Sequence, residues 1–293
     1  MIRIGLLLLL GLLARFFPLR MVFWLTERVG DVVYLAWPRG RRWAKEAMWQ
    51  AVGQREAKKA VARLARRSIG NYFKYVVELT RLRWLRLEDV TRNIAYEGAE
   101  HVAQAMADGQ GVILVGLHQG NWDFGGAVLA QQYPVHIVVD THKPPRFNTF
   151  IQGLRERTGV RVIPVEQAAR GLLGVLGRNE VVGVAIDAKP GIENGVEVTF
   201  LGRPLRVPAG VAALALRTGA RLVPVTLVRE EGGRYRGFAA EAIRFTPSGD
   251  RQQDLRALMQ GVVTVLEQWV RRYPDQWYVF RPLWGDELAT RTT

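Results

Sequence analysis

The chain has 293 residues, 48% of them hydrophobic, no cysteine and a formal net charge of +14. That length and apolar content support one large α/β body or two modest domains and exclude a mainly disordered chain. The lack of cysteine excludes disulfides, thiol nucleophiles and cysteine-ligated metal centres, while the positive charge points to a polyanionic partner, either nucleic acid or an anionic membrane surface.

Residues 4–14 form an uninterrupted apolar run that stops at Arg15. A bilayer span needs roughly 20 apolar residues. Extending the run to Leu25 reaches that length only by including Arg15, Pro18 and Arg20. Each arginine near a helix centre costs about 2.5–3.5 kcal/mol and each large apolar residue returns about 0.3–0.6, so the sum is close to zero. The segment therefore reads as an interfacial anchor, with Phe16, Phe17, Phe23 and Trp24 entering the acyl boundary. A signal-peptide core and an ordinary buried helix are the alternatives, and no small-x-small cleavage site follows the run.

Residues 39–86 read as helical and basic. Trp43, Ala47, Met48, Ala51, Val61, Leu64 and Ala65 recur near helical spacing, with Arg41, Arg42, Lys45, Arg55, Lys58, Lys59, Arg63, Arg66 and Arg67 on the polar side. That side fits a solvated face or attachment to anionic headgroups, worth about 1 kcal/mol per residue at the surface. The aromatic stretch from Tyr72 to Trp84 reads as core. The expected organisation is an apolar membrane anchor over 1–38, a basic helical segment packed on the core over 39–95 and an α/β domain over 96–293.

From Tyr96 onward strands alternate with helices, which implies a mostly parallel central sheet flanked by helices. Strands are expected at 111–116, 135–139, 160–163, 181–186, 196–200 and 222–228, and helices at 99–107, 124–131, 147–157, 166–176, 210–217 and 252–273.

Within this pattern, Gly116-Leu117-His118-Gln119-Gly120-Asn121-Trp122-Asp123 directly follows the first apolar strand. Catalytic groups in open α/β sheets lie outside the carboxyl ends of strands. A neutral imidazole at His118 can take a proton from a hydroxyl, and Asp123 could hold its tautomer and stabilise the imidazolium, as in a triad lacking its own nucleophile. The nucleophile would then come from the substrate. The ordinary alternative is a chance His/Asp pair. Arg146, Arg155 and Arg157 flank or occupy the helix after the second strand and suit a phosphate or carboxylate on a lipid headgroup or acyl carrier. Asp187 and Lys189 read as turn residues, and Glu197 by itself as an exposed strand carboxylate. His101, His136 and His142 lack ligand spacing with the His118 pair, so no metal site is expected.

Taken together, these blocks resemble the lysophospholipid acyltransferase superfamily, and within it the bacterial lipid A biosynthesis acyltransferases and the phosphatidylinositol mannoside acyltransferases. The likeness covers about residues 95–284. It rests on residues 98–107 with Gly111-Val112-Ile113-Leu114, on His118-x-Gly120-Asn121-Trp122-Asp123, on Asn148 through Arg155, on Gly195-Val196-Glu197-Val198-x-Phe200-x-Gly202, on Pro208-Ala209-Gly210, and on Tyr273-Pro274-Asp275-Gln276-Trp277. The His-x4-Asp block is the specific one.

The resemblance implies transfer of a fatty acyl chain from an acyl-CoA or acyl carrier protein thioester to a hydroxyl of a membrane glycolipid. No bound cofactor is needed. With the reading of the residues it gives His118, Asp123 and, from the mannoside branch, Glu197 as the expected catalytic residues and Asn121, Arg146, Arg155 and Arg157 as the expected substrate-binding ones, at the cytoplasmic face of the inner cell membrane. The Phe-Pro-Glu-Gly-Thr block of glycerolipid acyltransferases is replaced by Ile186-Asp187-Ala188-Lys189, so phosphate binding there does not carry over. Aspartate at 123 leans toward the mannoside or another glycolipid branch. A glycerophospholipid acyltransferase is the alternative within the superfamily. A basic nucleic-acid- or lipid-binding protein is the alternative outside it, although no nucleic-acid motif is present and the apolar run would go unexplained.

Overall fold

A computed structural model describes residues 2–53, 57–187 and 195–284. Four helices come first: α1 (Ile2–Phe16), α2 (Leu19–Ala36), α3 (Pro38–Val52) and α4 (Lys58–Arg81). Pro18 separates the first two, as the missing amide and restricted backbone of proline require. Among the described residues no helix is long and apolar enough to cross a membrane. The rest of the chain runs α5 (Leu87–Thr91), β1 (Ile94–Glu97), α6 (Ala99–Ala107), β2 (Val112–Gly116), α7 (Trp122–Leu129), β3 (Val135–Val139), α8 (Pro145–Glu156), β4 (Arg161–Pro164), α9 (Ala168–Gly177) and β5 (Val181–Ala185). It continues through β6 (Gly195–Phe200), β7 (Arg203–Pro208), α10 (Ala209–Thr218), β8 (Arg221–Arg229), β9 (Tyr235–Ala239) and α11 (Arg251–Arg272).

Seven strands form one sheet in the order β1-β9-β8-β2-β5-β3-β4. Every neighbouring pair is parallel except β8 with β9. The mostly parallel sheet matches the expectation, and its central strands are apolar on both faces because helices cover both. After β2 the chain moves past the β5 position to β3 and β4, returns to β5, and later enters β8 on the opposite flank of β2. The carboxyl end of β2 is thus a topological switch point, where an open α/β sheet leaves a crevice.

Beyond the expected strands the structure adds β1, β7 and β9, and one of the expected strands lies elsewhere. Residues 195–200 do not join the central sheet: β6 pairs only with β7, as an antiparallel hairpin. Val196, Val198 and Phe200 face the core while Glu197 and Thr199 are exposed, the alternation of a strand with one wet face. The turn carries Leu201 at φ 52 and Gly202 at φ 78, the left-handed backbone that a two-residue hairpin loop uses.

α4 links the helical layer to the sheet. Ser68, Asn71, Tyr75 and Glu78 recur at spacings of three and four and make one inward polar stripe on this helix. Ser68 Oγ donates to the Trp277 carbonyl at 3.0 Å and Asn71 Nδ2 to the Asp275 carbonyl at 3.0 Å. The stripe therefore fastens residues 274–278 against the carboxyl edge of the sheet. The amino-terminal run also differs in detail. Phe16, Phe17 and Trp24 are exposed, but Phe23 turns inward, packing with Ala14, Val22 and Val77 and lying 5.4 Å from the Arg229 guanidinium.

Candidate active site

The crevice is organised by the pairing of β2 with β5. These parallel strands are in register, with Gly116 opposite Ala185. Each strand then continues through one apolar residue to a polar one, Leu117-His118 on one side and Ile186-Asp187 on the other. Equal offsets on neighbouring parallel strands bring the two side chains together. His118 Nδ1 lies 2.7 Å from Asp187 Oδ1, and the His118 backbone N–H donates to both carboxylate oxygens at 3.0 and 3.1 Å. The indole Nε1–H of Trp277 donates to Asp187 Oδ2 at 3.0 Å. Burial alone would push the Asp187 carboxyl up; the neighbouring His118 and the ring, indole and backbone donors outweigh it and hold the group below the usual carboxylate range. An ionised carboxylate only accepts hydrogen bonds, so the His118 proton sits on Nδ1 and the lone pair on Nε2. The His118 side chain is 32% exposed while that of Asp187 is fully buried. The ring of Trp122 stands edge-on to His118 at 5.0 Å.

The loop that carries His118 into α7 is held tightly. Gly120 has φ +65, and a Cβ there would meet the Leu227 carbonyl oxygen at 1.9 Å, so only glycine fits. Asn121 then caps α7, its Oδ1 accepting from the Phe124 N–H at 3.0 Å.

Two buried ion pairs stand beside this dyad. Asp123, in the first turn of α7, accepts from Arg155 Nε at 2.7 Å, Arg155 Nη2 at 3.3 Å and Tyr75 Oη at 2.6 Å. Burial lowers the Arg155 pKa, but Asp123 and Tyr75 more than reverse this and keep the guanidinium charged; burial and Asp123 together keep the Tyr75 phenol protonated. Glu78 is fully buried and accepts from Arg229 Nε and Tyr235 Oη, both at 2.6 Å, and from Asn121 Nδ2 at 2.8 Å. Among the described residues no group of three metal-binding side chains could hold an ion.

A sequence model of the family described as bacterial lipid A biosynthesis acyltransferase matches residues 2–285. The chain belongs to this family. It is also similar to the phosphatidylinositol mannoside acyltransferase of Mycobacterium tuberculosis, 31% identical over 229 residues, which is 76% of this chain and 70% of that protein. The protein of the same name from Mycolicibacterium smegmatis is 30% identical over 77% of this chain and 74% of its own length. The lipid A biosynthesis palmitoleoyltransferase of Escherichia coli is 25% identical over 62% of this chain and 58% of its own length.

In this acyltransferase the expected site residues separate into groups. His118 lies in the crevice, but the carboxylate on its Nδ1 is Asp187 and not Asp123, whose oxygens are taken by Arg155 and Tyr75. Asn121 is fully buried, with its oxygen on the helix cap and its amide on Glu78, so it supports the loop and presents nothing to a substrate. Of the three arginines only Arg155 turns inward; Arg146 and Arg157, at the two ends of α8, are exposed. Glu197 is on the solvent side of the β6–β7 hairpin, opposite Arg206 in the ladder, while its strand neighbours Val196 and Val198 face the core. The alternation that buries those valines turns Glu197 away from the dyad. Lys189 lies outside the described residues. From the sequence Asp187 reads as a turn residue, Trp277 as part of the Tyr273–Trp277 block and Tyr75 and Glu78 as part of a core helix, and none of the four is given a site role there. The signal that would have found Asp187 is its offset from the end of an apolar strand, the same offset that His118 has.

Proposed function

We propose that this acyltransferase moves a fatty acyl chain from an acyl-CoA or acyl carrier protein thioester to a hydroxyl of a glycolipid, with His118 as the general base. The observation that carries the reading is the 2.7 Å contact from Nδ1 of the partly exposed His118 to buried Asp187, which leaves the Nε2 lone pair to act as the base. The acceptor oxygen gives its proton to Nε2 and attacks the thioester carbonyl. The tetrahedral intermediate expels the thiolate, which takes the proton from the imidazolium, so the enzyme ends as it began. Asp187 holds the tautomer and stabilises the imidazolium, the part expected of Asp123 from sequence. Asp123, Arg155 and Tyr75 keep α7 and α8 in place beside Trp122.

The names of the relatives favour a glycolipid acceptor: two are phosphatidylinositol mannoside acyltransferases and one is a palmitoleoyltransferase of lipid A biosynthesis. The reaction would take place at the cytoplasmic face of the cell membrane. Met21, Trp24, Leu25, Val29, Val32 and Leu35 recur at helical spacing on the outer side of α2 and are 39–68% exposed. Such a stripe, with exposed Arg20 and Arg28 at its edges, suits an interfacial helix on an anionic lipid surface. Incubation with labelled palmitoyl-CoA and acyl carrier protein thioesters and total membrane lipid from the source, with products identified by mass spectrometry, tests the reading. An acylated glycolipid that disappears with His118→Ala supports it. Acylation only of glycerophospholipids that carry no sugar, or undiminished transfer by the folded variant, would sink it.

A further inference from the structure

One short segment after α11 touches both members of the dyad. The Tyr278 backbone N–H donates to the His118 carbonyl at 2.8 Å, Trp277 Nε1–H donates to Asp187 Oδ2 at 3.0 Å, and Arg281 Nη2 donates to the Asp187 carbonyl. A fourth contact runs the other way, from the Gly120 N–H to the Gln276 carbonyl at 2.8 Å. Trp277 is itself fixed: it is fully buried, its carbonyl accepts from Ser68, and its ring lies 5.5 Å from that of Phe200. Because Trp277 occupies Oδ2, the carboxylate is turned so that Oδ1 meets the imidazole. Because Arg281 holds the carbonyl, the backbone beyond β5 is pinned at the same residue.

We propose that Trp277 and Arg281 are positioning residues of the acyl transfer, acting through Asp187 on His118. This rests on the reading of His118 as the base. Trp277 contributes a neutral donor and Arg281 a cation, and both offset part of the Asp187 charge. Removing either leaves more of the Asp187 charge uncompensated beside the imidazole, and the pH dependence of turnover is the readout that follows that charge. Among the described residues the charged groups beside the dyad on the neighbouring elements are paired: Asp123 with Arg155 from α7 and α8, and Glu78 with Arg229 from α4 and β8. Neither pair changes with these substitutions.

The test is kcat/KM of the full chain for palmitoyl-CoA and total source-membrane lipid across roughly pH 5–9. Trp277→Phe and Arg281→Gln are each expected to move the acid limb upward by about half a pH unit or more. Each should also lower kcat about tenfold, the loss of one hydrogen bond to a charged group, at unchanged KM. Arg281→Lys, which keeps the charge, should return the midpoint to that of the wild type. Unmoved midpoints in folded Arg281→Gln, or Arg281→Lys behaving as Arg281→Gln does, would overturn the proposal even if Trp277→Phe failed to fold. His118→Ala in the same assay separates the two layers: if it abolishes transfer while the midpoints stay put, only the positioning inference fails; if it leaves transfer intact, both do.

Discussion

The crevice holds three buried carboxylates, and they are not equivalent. Asp123 and Glu78 each face an arginine and a tyrosine, and the Arg155 and Arg229 side chains that neutralise them are only 11% and 7% exposed. Asp187 faces a histidine that is 32% exposed and a tryptophan, with no arginine on its carboxylate oxygens. A carboxylate satisfied by a guanidinium has its charge cancelled permanently and serves to hold elements together. A carboxylate satisfied by a neutral imidazole keeps its charge available for the moment that imidazole takes a proton. The His-x4-Asp spacing invites the assignment of Asp123 to the second role, and the geometry gives it the first.

Substitutions should separate the roles. Asp187→Asn is expected to reduce kcat by about 10³–10⁴-fold while the protein stays folded, since loss of the orienting carboxylate in a triad costs about that much. A variant within tenfold of wild type would remove Asp187 from the mechanism. Asp123→Ala and Glu78→Ala should instead lose about 3–5 kcal/mol of stability in denaturant titration, because each strands a buried guanidinium. Activity should then follow the folded fraction, and full stability with lost turnover in Asp123→Ala would return that residue to the chemistry.

Acid should report on Asp187. The Asp187 carboxyl is held below its ordinary value of 3.8, so the folded state binds its proton more weakly than the unfolded state does. Its contribution to stability is complete above that unfolded value and is lost as pH falls through the folded one. Replacing Asp187 with Asn should therefore flatten the loss of stability in that acidic window, as followed by thermal melts. The smallest effect is expected farthest from the crevice. Changing Trp24, Val32 and Leu35 together to serine should weaken binding to anionic vesicles, with transfer to a detergent-dispersed acceptor unaltered. Wild-type binding would show that other surfaces carry membrane attachment.

The contrast also explains what was readable from sequence. β2, β3, β5 and β8 are buried apolar runs, so composition alone located them. β1 is four residues long, β7 carries two prolines, and β9 has arginine and glycine inside it, so none shows the pattern of a buried strand. His118 was legible because a polar group directly after an apolar strand stands out. Asp187 has the same local signature, but its meaning depends on β2 pairing with β5, and β3, β4 and their helices separate those strands in the chain. Tyr75 and Glu78 were read as part of an aromatic core helix, since the spacing that makes them one stripe is visible only once Asp123 and Arg229 face it.

The contact between His118 and Asp187 can be observed directly. Proton NMR of the ring-labelled histidines should show one low-field Nδ1–H from His118, as expected for a charge-assisted bond to a buried carboxylate. The signal should persist in Asp123→Asn and vanish in Asp187→Asn. Its loss in Asp123→Asn with survival in Asp187→Asn would contradict the account.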